Sequence, residues 1–290
     1  MNACPVCQAA LRDWFEKGSR HLARCVSCGL IIVREGVART STGASIYEAE
    51  ETVFLADGNE AYYLDHETAF TNARLKLHWV ARDLASGRRL LDAGSNFGHF
   101  LKLAAERFDA RGLDLSPQAV AWSREHLGVE STVMSIYALP DGLGEFDAVT
   151  CWDVIEHLPD PLGALRALRS SLKPGGLLFL STPDAGSVAA RLLGRRWHYL
   201  DPLQHITLFS RENLRQALAA ADLAVLRTGT LGHSYRLRYV FDRLAYLHRD
   251  GVLGAAAVAG RWVARPLLGR SVRLDLRDVL VLTATRKDGG

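Results

Sequence analysis

Residues 89–101, Arg89-Leu90-Leu91-Asp92-Ala93-Gly94-Ser95-Asn96-Phe97-Gly98-His99-Phe100-Leu101, restrict the folds open to this chain more than any other stretch. Arg89 to Ala93 reads as a buried strand, Gly94 to Gly98 as a tight turn, and His99 onward as the start of a helix. Gly94 and Gly98 let the backbone approach a ligand closely, and the helix start offers N–H groups that no carbonyl of the helix can take. Twenty residues past Gly94, a second strand, Ala110-Arg111-Gly112-Leu113, ends in Asp114. A carboxylate there can take both hydroxyls of a ribose. Together these features make a βαβ unit that holds an adenosine-type cofactor.

NAD and S-adenosylmethionine both fit that scheme, and the turn leans toward the second. The dinucleotide fingerprint G-x-G-x-x-G sets a pyrophosphate on a helix end. Here the spacing is Gly94-x3-Gly98 with Asn96 in place of a middle glycine, and Asp92 precedes the turn. A carboxylate at that position welcomes a cofactor amine and repels a phosphate. Downstream, Pro161 can start a helix, Leu162, Leu165, Leu168 and Leu172 repeat at helical spacing, and Lys173-Pro174-Gly175-Gly176 stops it. Leu177 to Leu180 then forms a continuous apolar run, as a parallel strand covered on both faces should. The alternation implies an α/β fold with an open, mostly parallel sheet and its ligand at the carboxyl ends of the strands. At 290 residues with 48% apolar and 23% charged side chains, the chain can bury such a sheet and is not disordered. Its formal net charge of +3 excludes a chain-wide nucleic-acid or membrane field.

Phe146-Asp147-Ala148-Val149-Thr150-Cys151-Trp152-Asp153-Val154-Ile155-Glu156-His157-Leu158 and Leu172 to Pro183 follow the glycine turn in order. With them, about residues 87 to 230 resemble the class I S-adenosylmethionine-dependent methyltransferases. The resemblance implies a Rossmann-like sheet with helices on both faces. It places Asp92, Gly94, Ser95, Asn96, Phe97 and Gly98 around the methionine moiety, Asp114 and Leu115 at ribose and adenine, Ser135 and Ile136 in the adenine loop, and Asp153 near the methionine end. Relatives often carry an acid where this chain has Ser135-Ile136. A capping role is the other reading of Asp153.

Glu156, His157 and His205 are the candidate catalytic residues. Asp153-x-x-Glu156-His157 with the later His205 resembles the acid-acid-histidine-histidine pattern of metal-assisted O-methyltransferases, where a divalent ion, magnesium here, binds two substrate oxygens and lowers a hydroxyl pKa. General base action without a metal and a purely structural fixing of the turn are the other two readings. The donor is already activated, so alignment supplies much of the chemistry.

Ahead of this domain stand Cys4-Pro5-Val6-Cys7 and Cys25-Val26-Ser27-Cys28-Gly29, a C-x2-C-x17-C-x2-C pattern. Each tight turn can aim two sulfurs at one ion, and four thiolates close a tetrahedral zinc site with no open position. Cys4, Cys7, Cys25 and Cys28 are therefore candidate ligands of a structural zinc ribbon over residues 1–36, a segment too small to hold a core alone. Cys151 reads as a small core residue. The close pairs suit a reducing compartment, and the N-terminus lacks a signal-peptide pattern, so a cytoplasmic location is expected.

Residues 37–86 divide into a connector, Arg39 to Ser45, an aromatic-rich polar stretch around Tyr47, Phe54, Tyr62 and Tyr63, and a capping helix from about Glu67 to Leu84 stopped by Ser86-Gly87. The catalytic domain is expected over 87–290, with an inserted helical cap at about 231–277 between strands at 224–228 and 278–285. That insertion holds nine Arg against three Asp, so cover for the substrate and peripheral contact with an anionic membrane are both open. The function expected overall is methyl transfer to a small molecule such as a sugar, glycan precursor or secondary metabolite. An RNA methyltransferase gripping RNA with the ribbon, and a noncatalytic binding module on the same fold, are the alternatives; balanced charge disfavours the first.

Overall fold

The computed structural model describes residues 3–34, 65–86, 88–139, 146–247 and 252–287. The connector and its aromatic stretch at 37–64 lie outside the described residues, as does Gly87. The chain opens with the hairpin β1 (Leu11–Lys17) and β2 (Arg20–Cys25), and β3 (Ile31–Val33) pairs antiparallel with β2. Next comes α1 (His66–Ala81), whose first turn is capped by the Asp65 carboxylate accepting from the Thr68 N–H. This helix stops short of the expected Leu84. The Val80 carbonyl takes both the Asp83 and the Leu84 N–H, tightening the last turn and ending the helix before Ser86. Leu84 is buried all the same.

Strands and helices then alternate as β4 (Arg89–Ala93), α2 (His99–Ala105), β5 (Asp109–Asp114), α3 (Pro117–Leu127), β6 (Ser131–Val133), β7 (Phe146–Trp152), α4 (Pro161–Ser170) and β8 (Leu172–Pro183). Ser116 caps α3 and Asp160 caps α4, each with proline in the first turn. Leu172 heads β8 instead of ending α4, so the helix is two residues shorter than its leucine spacing suggested. The chain continues through α5 (Val188–Leu193), β9 (Thr207–Leu208), α6 (Arg211–Ala220), which starts on a reciprocal capping box between Ser210 and Asn213, and β10 (Leu223–Thr230). The excursion after β10 comprises β11 (His233–Arg236), α7 (Leu237–Leu247), α8 (Val252–Val263) and β12 (Ser271–Leu274), and β13 (Val279–Arg286) closes the fold.

The seven-stranded sheet has the order β10-β13-β8-β7-β4-β5-β6. All its strands are parallel except β13, which slots antiparallel between β10 and β8. Alternate strand residues feed two cores. Leu91, Val149, Cys151 and Leu180 face α4 and α6, while Leu90, Ala148, Phe179 and Val281 face α1 and α2. The sheet is thus covered on both faces, as its unbroken apolar strands require.

The cysteine module is not a free appendage. Its four-stranded sheet runs β1-β2-β3-β9, so the last strand comes from the catalytic half of the chain. Ile31 pairs with Leu208, Ile32 with Thr207, and the Val33 N–H donates to the Ile206 carbonyl at 2.8 Å. Cys4, Ala23, Cys25, Leu30 and Ile32 are buried in the same core as α4 and α6. The excursion is attached differently. β11 and β12 pair only with each other, and α7 and α8 pack together beyond them.

Candidate functional site

Strands β7, β4 and β5 are parallel neighbours, so their carboxyl ends lie side by side. Gly94 and Gly98 have φ of 80° and 75°, and a Cβ would come within 2.4 Å of Val154 at the first and 2.9 Å of Ser123 at the second, so both positions need glycine for conformation and for space. Asn96 also sits in the left-handed region, and its side chain accepts from the Phe97 N–H at 2.7 Å. The Asp114 carboxylate at the end of β5 accepts from the Asn96 N–H at 2.8 Å and the Ser116 N–H at 2.9 Å, which fixes the turn against the second strand. Burial raises its pKa above the usual carboxylate value. Ser95 is buried with its hydroxyl 3.2 Å from that of Ser131. Leu115 is part exposed beside Asp114, and Ser135 caps a short turn that buries Ile136.

Asp92 lies buried at the base of the turn, accepting from the Thr150 hydroxyl at 2.7 Å. Burial pushes its pKa up to about 7 against the pull of that hydrogen bond and of the Lys76 ammonium. Asp153, expected with Glu156 and His157, stands outside their cluster of ligand atoms. It adopts φ 56° and is held by Lys76 Nζ at 2.8 Å, the Ser181 hydroxyl at 2.7 Å and His233 Nε2 at 3.7 Å. Burial opposes its charge, but Lys76 and His233 outweigh that and hold it well below the usual range. A carboxylate so committed is not part of a four-ligand cluster.

The remaining three do converge. A carboxylate oxygen of Glu156 and a ring nitrogen of each of His157 and His205 all lie within 4.8 Å of one another. Glu156 accepts from the Thr182 hydroxyl at 2.9 Å. His157 Nδ1 lies 2.7 Å from the Gln204 carbonyl and His205 Nδ1 lies 2.7 Å from the Tyr199 carbonyl. A carbonyl only accepts, so each Nδ1 carries the proton and each Nε2 keeps its lone pair. Burial lifts Glu156 to about 8, with help from the charge of Asp153. Burial, and for His157 the neighbouring His205, depresses the two imidazoles, His157 to about 3. The Gln204 side-chain nitrogen is buried with no partner among the described residues. The Tyr199 and Tyr235 hydroxyls lie 3.4 Å apart.

Lys76, His233 and Tyr235 were missed by the sequence reading. Lys76 is one of only five lysines in the chain, and it interrupts the apolar face of α1 with a side chain just 15% exposed. A lysine inside an otherwise apolar helical stripe was the available signal. The two residues of β11 carry no local mark.

At the other site, the Cys4 and Cys28 sulfurs are 3.6 Å apart and those of Cys7 and Cys25 are 3.4 Å apart, all four within 4.8 Å. The Val6 and Cys28 N–H groups donate to the Cys4 and Cys25 sulfurs at 3.4 Å, the turn expected of each C-x2-C pair.

The family described as methyltransferase domain matches residues 64–228. A ubiquinone biosynthesis O-methyltransferase of Xanthomonas campestris pv. campestris (strain B100) is 36% identical over 182 residues, which span 55% of this chain and 75% of that protein. Among solved structures, the 1,6-didemethyltoxoflavin-N1-methyltransferase of Burkholderia thailandensis, with S-adenosylhomocysteine bound, covers 96% of this chain and 100% of its own at TM-score 0.54 and 16% identity. The N-methyltransferase NodS of Bradyrhizobium japonicum WM9, also with S-adenosylhomocysteine, covers 84% and 99% at TM-score 0.53 and 14% identity. The glycine turn, the acid after the second strand and the reversed β13 thus sit in a chain that belongs to the class I S-adenosylmethionine-dependent methyltransferases.

Proposed function

We propose that this methyltransferase transfers the methyl group to a hydroxyl of a small molecule, with a sugar, glycan precursor or other secondary metabolite as the acceptor class. The observation that most supports it is the cluster of Glu156, His157 and His205, in which both histidines keep Nε2 unprotonated because Nδ1 donates to a carbonyl. Relatives named ubiquinone biosynthesis O-methyltransferase favour oxygen as the methylated atom. The donor set fits S-adenosylmethionine: carboxylates of Asp92 and Asp153 toward the donor amine, the turn Gly94, Ser95, Asn96, Phe97 and Gly98 along the methionine chain, the Lys76 ammonium toward the donor carboxylate, Asp114 on the ribose, and Leu115, Ser135 and Ile136 around the adenine. The donor supplies its own leaving group. His157 or His205 accepts the hydroxyl proton at Nε2, Glu156 and Thr182 hold the facing wall, and the fold aligns oxygen, methyl carbon and sulfur.

Three ligand atoms, two of them imidazole nitrogens with Nδ1 fixed by carbonyls, have the outer hydrogen bonding of a metal site. The set suits zinc or manganese better than magnesium, which prefers oxygen, and Asp153 lies outside it. Glu156, His157 and His205 would hold such an ion, which supplies a lowered hydroxyl pKa. The four cysteines fit a structural zinc, since a tetrahedral ion with bonds of about 2.3 Å sets sulfurs about 3.8 Å apart. A reducing compartment, the cytoplasm, keeps such thiols free for an ion.

RNA binding through the cysteine module has less support, because β3 spends its free edge on β9 and its apolar residues on the shared core. Calorimetry with S-adenosylmethionine, on the intact chain and on Asp114→Ala, tests the enzyme reading. Micromolar binding that weakens at least tenfold in the variant is expected, and no binding by the intact chain would favour the noncatalytic module.

A further inference from the structure

The excursion after β10 leaves one helix with its apolar side outward. In α8, Val252, Ala255, Val258, Ala259, Trp262 and Val263 span an arc of about 140° at 3.6 residues per turn, and no charged residue falls within it. All six are exposed, Val252 by 86%, Trp262 by 79%, Val263 by 75% and Val258 by 60%. The helix is already packed on its other side. Ala257 is buried, and Gly260 lies so close to Phe241 of α7 that a Cβ would stand 3.0 Å from its ring. Nothing in the described chain covers the outer face, and a patch of this kind marks an interaction surface.

The charge around it selects the occupant. Arg236, Arg238, Arg261 and Arg265 line a cavity of about 790 Å³ beside Trp262 and Tyr239, with Asp65 as its one acid. Arg236 is held by Asp65 and Glu67, and Arg238 and Arg261 by Asp242. Arg265, which lines that cavity with Val258 and Trp262, is exposed and has no carboxylate partner among the described residues. A second copy of the chain would bring the same arginine-lined cavity against this one across a two-fold interface, which disfavours self-association. An anionic bilayer offers hydrocarbon to the apolar arc and phosphates to the arginines.

We propose that α8 docks this methyltransferase on the surface of an anionic phospholipid bilayer. The twelve residues of α8 span about 18 Å at 1.5 Å per residue, too short to cross a hydrocarbon core of about 30 Å, so the helix lies in the interfacial plane. Trp262 sits at headgroup depth, Val258 and Val263 reach below it, and Arg265 meets lipid phosphates. This docking does not depend on the acceptor proposed above.

Flotation of the full-length protein with vesicles of equal phosphatidylglycerol and phosphatidylcholine, against phosphatidylcholine alone, tests it. The protein should rise with the anionic vesicles, and high salt should release it. Arg265→Ala should weaken partitioning about fivefold, the value of one basic residue near an anionic surface. Trp262→Glu should lower it more than tenfold, with S-adenosylmethionine affinity unchanged as the sign of an intact fold. If Trp262→Glu loses donor binding, the milder Val258→Ser/Val263→Ser variant takes its place. The proposal falls if the wild type stays at the bottom of the gradient with anionic vesicles, if it floats equally well after Trp262→Glu, or if gel filtration shows a dimer that Trp262→Glu splits.

Discussion

Two additions decorate the same central sheet, and they are joined to it in opposite ways. The cysteine module is small, yet its third strand is laddered to β9 and its side chains enter the core under α4 and α6. The excursion from β11 to β12 is larger, but its two strands join no other sheet, the Asn72 side chain of α1 bonds it through the Ser234 backbone, and one helix keeps its apolar side in solvent. An addition that buries its apolar residues against the domain braces it. One that leaves them exposed is shaped for something outside the chain. The brace also reaches the candidate site: β9 begins two residues after His205, and the intervening Ile206 N–H donates to the Glu156 carbonyl at 3.0 Å.

The sharpest test of this contrast is Cys25→Ser. It should abolish the zinc binding proposed for the four cysteines, unfold the module and, through β9, lower turnover about a hundredfold or more, checked by metal analysis beside a methyl-transfer assay. Normal turnover in a zinc-free variant would break the link between module and site. Next is His205→Ala, expected to cut turnover about a hundredfold to a thousandfold while S-adenosylmethionine affinity stays within about twofold. A matching loss of donor affinity would move His205 out of the acceptor pocket. Ile32→Ala, at the fully buried junction of the module with β9, should cost about 2–4 kcal/mol in chemical denaturation.

Asp92 belongs to the sheet and touches neither addition, so it serves as a reference. With its folded pKa at about 7, the native state keeps a proton that the unfolded chain releases near pH 4. Stability from this group is therefore present at low pH and declines as pH rises from about 4 to 7. Binding of a cationic amine needs the ionised form, so donor affinity should fall about tenfold per unit below pH 7. In Asp92→Asn that slope should vanish while stability above pH 7 rises. The smallest effect is assigned to Trp262→Ala, within about 0.5 kcal/mol of wild-type stability. A larger loss would mean that α8 is packed against the domain after all.

The sheet was legible because its signals are local. The glycine turn, the acid at the end of β5 and the apolar run of β8 each declare themselves within a few residues. Asp153 was legible as a site residue but not in its partner, since Lys76 arrives from α1 and His233 from β11, and pairing across such separations leaves no trace in spacing. The strand β9 is two residues long, too short for any periodicity, so the fusion of the cysteine module to the catalytic half could not be read. The end of α1 was misplaced because Leu84 continues the apolar spacing while the backbone has already turned at Val80.

The ladder between Ile31 and Leu208 also sets a timetable for synthesis. The amino-terminal strands leave the ribosome first, but their last edge partner is translated only after most of the domain, roughly 10–35 s later at ordinary elongation speeds. In that interval a nascent chain carries an open strand edge and two thiol pairs. Early capture of a metal ion would hold those strands together until the remaining partner emerges.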